Sequence, residues 1–350
     1  MLQPNKYFFF VLAILLLVLL LVAIAFGAVT ISTGDMYSAV RHWLHGDSPG
    51  NIREGVFLQI RLPRVFLCAI TGAILAASGV LMQGLFRNPI VEPGLTGTSA
   101  GAAFGASIIF VSSGTLGTEF KTVTGPLLVP IFAFAGGLLA TFGVYVLARS
   151  QKKVSITSLL LVGIAINAVG LSGTGFMSYI ARDPQARSIT FWNLGTFSGA
   201  SWNQVWITGI VAAIVLVIGF RYAKQLNALI LGEEEAVYLG VDPEKLKRRI
   251  MILNTAMVAV ATAFVGVISF MGLIVPHVLR LLIGSDNKKL LPASILMGAL
   301  LMTLADLGAR LLLAPAEIPI GIITSLVGAP VFIYLLRQYQ VINNKGGFDD

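Results

Sequence analysis

From Phe8 to Val29 the chain carries no charged residue, and from Ile250 to Leu279 it again carries none. Backbone amides in such runs must be satisfied within the segment if the surroundings are hydrocarbon, and a helix does this. A crossing helix takes about 20 residues. Shorter or comparable apolar stretches lie at Leu62–Phe86, Thr98–Val111, Leu127–Ala148, Ile156–Ile180, Val205–Phe220, Leu291–Leu313 and Ile320–Leu336. The first run exceeds the roughly 7–15 residue core of a signal peptide and is read as a retained span. Over 350 residues the chain is 56% hydrophobic and 11% charged, against about 25% charged in soluble domains. The chain therefore reads as an all-α polytopic membrane protein, a single transmembrane domain over residues 1–350 with room for about ten spans.

The formal charge of +8 does not point to nucleic acid, because the basic residues flank the apolar runs. Loops on the side of the N-terminus hold Arg87, Arg149, Lys152, Lys153, the 245–249 cluster, Lys288 and Lys289. The other side holds Arg41, Arg53, Lys121 and Arg182 among others. The bias is about two to one, which predicts both termini in the cytoplasm. A lone cysteine, Cys68, excludes an intrachain disulfide.

Between the spans several features stand out. Ser32–Pro63 is polar enough to leave the membrane. Gly97, Gly101 and Gly105 share one helical face, where small residues let two backbones approach. Asn167, Ser172, Thr174 and Ser178 are polar groups in a span, facing either a water-filled cavity or a neighbouring helix. Trp192 and Trp202 suit an interfacial position. The stretch 250–283 is too long for one span, and Gly266, Gly272 and Pro276 are its expected breaks. Asp306 and Arg310, four apart, can pair on one face.

The densest charged run is Gln225–Arg249. Glu233, Glu234 and Glu235 follow Gly232, and Asp242 and Glu244 open a basic cluster. Ala236, Leu239 and Leu246 fall between them at helical spacing. Asp242-Pro243 suits an N-cap followed by proline at the first helical position. The stretch predicts two short amphipathic helices outside the bilayer. It serves either as a solvated connector or as a docking surface for a protein.

No G-x-x-x-x-G-K-[ST] loop is present to hold ATP phosphates. No H-E-x-x-H occurs, and His42, His45 and His277 are scattered, so neither metal nor cofactor nor catalytic residue is expected. His277, beside Pro276, is read as a packing or helix-break residue. A secondary transporter would bury ionisable groups for ion coupling, and the clear candidates here, Asp306 and Arg310, can neutralise each other.

Several motifs carry a resemblance: RLPR at Arg61–Arg64, SGVLMQGLFRNPIVEPGLTGTSAGA, LGEEEAVYLGV, GLIVPHVLRLLIGSDNKKLLP and AEIPIGIITSLVGAPVFIYLL. Together, over residues 55–338, they resemble the permease family of bacterial ABC importers for vitamin B12, ferric siderophores and haem. The resemblance implies ten transmembrane helices, with helices 2–5 and 7–10 an inverted repeat, in a multi-pass protein of the bacterial inner membrane. It implies a type II importer in which a homodimer of this chain forms the pathway. Two cytoplasmic ATPase subunits would drive it, and a periplasmic substrate-binding protein would deliver the cargo.

By position the resemblance also assigns roles. Arg61, Arg64 and Arg310 would face the periplasm and dock the binding protein, with Asp306 as an alternative partner for Arg310. Asn88, Ile90, Thr157 and Ser158 would form the cytoplasmic gate, although Ser155 and Thr157 suit helix capping equally. The loop 225–249 would be the coupling loop, with Gly232, Glu233, Glu234, Ala236, Leu239 and Gly240 contacting the ATPase. The run Trp192-Asn193-Leu194-Gly195 through Ser198-Gly199-Ala200-Ser201-Trp202 resembles that of iron-complex and haem members and leans the expected cargo away from vitamin B12.

Overall fold

The computed structural model describes residues 6–27, 30–112, 118–150 and 153–345. Lys152 and the side chains of Lys121 and Lys153, used in the charge bias above, lie outside the described set. The chain folds as helices α1 (Lys6–Ala25), α2 (Thr33–His45), α3 (Ile52–Val56), α4 (Leu62–Phe86), α5 (Thr98–Ser112), α6 (Thr118–Leu147) and α7 (Ile156–Ile180). It continues with α8 (Gln185–Asn193), α9 (Trp202–Leu231), α10 (Glu233–Tyr238), α11 (Pro243–Val265), α12 (Met271–Ile283), α13 (Asn287–Leu311) and α14 (Ile320–Lys345). A two-residue antiparallel pair, β1 (Arg149–Ser150) with β2 (Lys153–Val154), joins α6 to α7.

Among the described residues seven helical segments are long and apolar enough to cross a membrane. Three shorter apolar helices accompany them, at Thr98–Ser112, Met271–Ile283 and Ile320–Tyr334. Two of the expected spans, α5 with 15 residues and α12 with 13, are shorter than the about 20 residues of a full crossing. The centre of the bundle is α4, which packs against α9, α11, α12 and α13. Glycine makes this possible: a Cβ on Gly72 would strike the backbone of Gly298, and one on Gly79 the backbone of Gly272. Two of the three glycines predicted to share a face do the same between α5 and α6, where Gly101 meets Gly136 and Gly105 meets Phe132, whereas Gly97 precedes α5 at a φ of 85°. Van der Waals contact between close backbones replaces a hydrophobic driving force that lipid cannot supply.

Three expectations change. The helix of the second span does not begin at Leu62, because α3 runs into α4 through a π turn at Phe57–Arg61 and the helical run covers Ile52–Phe86. In 250–283 the break occurs at Gly266, whose φ of 77° belongs to glycine; Gly272 and Pro276 lie inside α12. Pro276 cannot donate to the carbonyl of Gly272 four residues back. The Gln83 side-chain amide donates to that carbonyl instead, at 3.2 Å, and to Leu273 O at 3.1 Å. Finally, α9 continues to Leu231, and α14 continues to Lys345 beyond the expected end at Leu336. Residues 225–231 are therefore the last turns of a long helix, and the charged stretch contains one free-standing short helix, α10.

Candidate functional site

The charged stretch is built on an apolar footing. Leu226, Leu229, Ala236, Leu246 and Ile250 are fully buried in the main core. Gly232, at φ 143°, turns the chain between α9 and α10, and a side chain there would collide with the Glu235 carboxylate. Gly240, also at positive φ, closes α10. Asp242 caps α11 by accepting from the Lys245 N–H at 3.0 Å, with Pro243 at the first helical position. That hydrogen bond holds the Asp242 carboxyl below the usual carboxylate range. Both cap residues were legible in the sequence.

Ala236 was expected to face a partner, but it points into the core and has no exposure. The side chains left outward are Val237, Tyr238 and Leu239, with Tyr238 91% exposed. Helical spacing from Ala236 does not pick out Val237 and Tyr238, since it carries no direction of the core. Large exposed apolar groups on a segment whose neighbours are charged have no solvent-side explanation of their own. Glu234 and Glu235 are exposed, whereas Glu233 is turned back to the Lys247 ammonium at 3.0 Å.

The residues expected to form the gate sit at the same end. Asn88 follows the left-handed C-cap of α4 at Arg87, and its side-chain oxygen accepts from Ile90 N–H at 3.0 Å. Ser155 is the N-cap of α7 and accepts from Ser158 N–H; Thr157 is exposed and caps nothing in the helix. Among the described residues no hydrogen bond joins the Asn88–Ile90 pair to Thr157 or Ser158.

Deeper in the bundle, the segment 88–97, irregular apart from a single 3-10 turn at Pro93–Thr96, crosses apolar surroundings and its carbonyls are met by side chains. Asn254 donates to Pro93 O at 3.3 Å and to Thr96 Oγ1 at 3.1 Å, and also pairs with Ser78. Asn167 donates to Gly94 O and Leu95 O, and Glu92 accepts from Phe270 N–H at 2.9 Å at the start of α12. Irregular backbone inside a bilayer needs such partners. Asn167 also lines a cavity with Glu92, Ser99 and Ser269. Thr174, by contrast, bonds back to its own helix at Gly170 O.

The arginines expected to dock a partner converge at the opposite end. Arg61, Arg64 and Arg310 line one cavity with Gly27, Pro315 and Glu317. All three are at most 6% exposed. Arg64 Nε and Nη2 donate to Asp306, and its Nη1 donates to both oxygens of Glu317, at 2.8 and 2.9 Å. Arg310 lies 3.0 Å from Asp306 and donates to Ala23 O and Phe26 O. Arg61 donates to Ile24 O and Ala25 O, the carbonyl end of α1. Asp306 therefore holds two arginines, not one. The structure brings the three arginines to one cavity and pairs Arg64 and Arg310 with acids of the chain itself.

The tryptophan run before α9 also has internal work. Trp202 donates its indole N–H to Leu58 O at 2.9 Å. Leu194 O and Gly195 O accept the backbone N–H groups of Gly321 and Ile320, tying the run to the start of α14.

Residues 15–338 match the FecCD transport family model. The chain belongs to the FecCD transport family. It is 41% identical over 291 residues to the hemin transport system permease protein HmuU of Yersinia pestis, covering 81% of this chain and 84% of that protein. It is 40% identical over 282 residues to the cobalamin import system permease protein BtuC of Halobacterium salinarum, covering 81% and 73%. A vitamin B12 import system permease protein BtuC of Vibrio parahaemolyticus is 38% identical, over 81% of this chain and 83% of that one. The fold is similar to a solved metal-chelate type ABC transporter in an inward-facing conformation, with a TM-score of 0.82 at 29% identity, covering 95% of this chain and all of that one. This FecCD chain is thus the non-enzymatic, multi-pass permease component of an ABC transporter.

Proposed function

We propose that this permease moves an iron complex, haem or a ferric siderophore, from the periplasm to the cytoplasm of a bacterial inner membrane. Two cytoplasmic ATPase subunits drive it, a periplasmic binding protein supplies it, and two copies of the chain enclose the path. Both termini and the loop 225–249 lie in the cytoplasm. The observation that carries the reading is α10: a short helix seated on the core through Ala236, with Val237, Tyr238 and Leu239 outward at one end of the bundle, in a chain whose sequence has no phosphate-binding loop. Helix-in-groove docking draws its energy from such apolar anchors.

Cargo follows from the hemin-permease relative and the metal-chelate neighbour. The near-equal identity to cobalamin permeases favours vitamin B12 as a second reading. Proteoliposomes containing the chain, its ATPase and its binding protein, offered haem, a ferric siderophore or vitamin B12, separate the two. Uptake of an iron complex that needs ATP and ignores ionophores is the expected result. Uptake of vitamin B12 alone overturns the cargo, and uptake abolished by ionophores without ATP overturns the class in favour of an ion-coupled transporter.

At the periplasmic end the cavity lined by Arg61, Arg64 and Arg310 receives acids of the binding protein. Because Arg64 and Arg310 also hold Asp306, Arg61→Gln is the milder probe. It should weaken binding-protein affinity several-fold, more at low salt than at high. An unchanged affinity at low salt would remove Arg61 from the docking surface.

A further inference from the structure

We propose that Lys247 is a positioning residue that ties the coupling helix to the segment entering α7, so that a displacement of α10 is delivered to Thr157 and Ser158. This rests on the coupling role proposed above for α10. Lys247 is a lysine with 3% exposure near the start of α11. An ammonium group has three donors, and here each has an acceptor on a different segment or turn. Nζ lies 3.0 Å from Glu233 Oε2 on α10, 2.8 Å from Glu244 Oε1 in the first turn of α11, and 3.0 Å from Val154 O on β2. Glu244 closes the ring, because its other oxygen accepts the Val154 N–H at 3.0 Å.

Val154 is thus held at both its N–H and its carbonyl by α11 side chains. The next residue, Ser155, is the N-cap of α7, and Thr157 and Ser158 lie in its first turn. A buried charge with all its partners in place resists independent movement of those partners, since separating any one leaves an unsatisfied ion in low dielectric. Seating α10 does not need this arrangement, because Ala236 already packs it on the core. The link from Lys247 to Val154 spans 93 residues of sequence, and joining the coupling helix to β2 is what it adds.

Two measurements on Lys247→Met, which keeps the apolar stem and removes the ammonium, test this. The first needs no motor: spin labels at Ser150→Cys and Tyr238→Cys, both exposed positions, in chain diluted with unlabelled copies. A narrow distance distribution in the parent should broaden in Lys247→Met and narrow again in Lys247→Arg. The second is cargo imported per ATP hydrolysed, expected to fall at least fivefold while the ATPase is still captured, with Lys247→Arg restoring it. Glu233→Gln, which loosens only the α10 leg, should lower the ratio in the same sense. An unchanged distance distribution, or an unchanged ratio, overturns the proposal. Loss of ATPase capture in Lys247→Met also overturns it, because Lys247 would then only shape the docking surface. If the parent chain captures no ATPase, the coupling role of α10 fails, while the distance measurement still decides whether Lys247 holds β2.

Discussion

The two charged ends of this permease are built in opposite ways. Around the C-terminal end of α1, the start of α4 and the end of α13, Arg61, Arg64, Asp306 and Arg310 are buried, and Arg64 and Arg310 converge on Asp306. Around α10 the charges are mostly exposed, and Lys247 is the buried exception. Buried ions carry a desolvation penalty offset only while every partner is present. Exposed ones interact weakly through water. The first end is therefore rigid and intolerant of substitution, whereas the second keeps a rigid base under a surface open to exchange of partners.

The largest expected effect tests the rigid end. Asp306→Ala leaves Arg64 and Arg310 facing each other without their shared acid. Breaking a buried pair on one side destabilises by about 3–5 kcal/mol, so the thermal midpoint in detergent should fall sharply. A midpoint within experimental error of the parent would mean that the cluster is hydrated and the contrast between the ends is false.

A smaller effect, on binding rather than folding, is expected at the open end. Leu239→Asp places a charge where an apolar anchor should enter a groove, and should lower ATPase capture at least tenfold, about 1.4 kcal/mol, with insertion and thermal midpoint unchanged. Wild-type capture together with wild-type uptake would reduce the stretch to a connector. The smallest effect belongs to Glu234→Gln. This exposed acid without an ion pair among the described residues should shift stability by no more than about 0.5 kcal/mol and alter capture mainly through its salt dependence.

How much of this was legible in the sequence follows the same division. The bundle could be read because apolar runs report bilayer crossings directly, and Asp242-Pro243 announced the start of α11 through local capping chemistry. Asp306 with Arg310 was legible because helical spacing is local; the third member, Arg64, lies 242 residues away from Asp306 and no local rule brings it there. Pro276 reads as a break because the side chain that satisfies the Gly272 carbonyl it orphans, Gln83, belongs to another helix. Ala236 was placed on the wrong face of α10 because spacing gives a periodicity, not the direction of the core. Lys247 looked like one more basic residue in a solvated cluster, and its burial is set by Val154, Glu233 and Glu244 together.

The most direct test of the coupling role is photo-crosslinking from a benzoylphenylalanine at Tyr238 or at Tyr37, the exposed tyrosines of α10 and α2, in cells carrying the complete transporter. The account predicts an adduct with the ATPase subunit from position 238 and none from position 37. An ATPase adduct from position 37, or its absence from position 238 in complexes that hydrolyse ATP and import cargo, would contradict it.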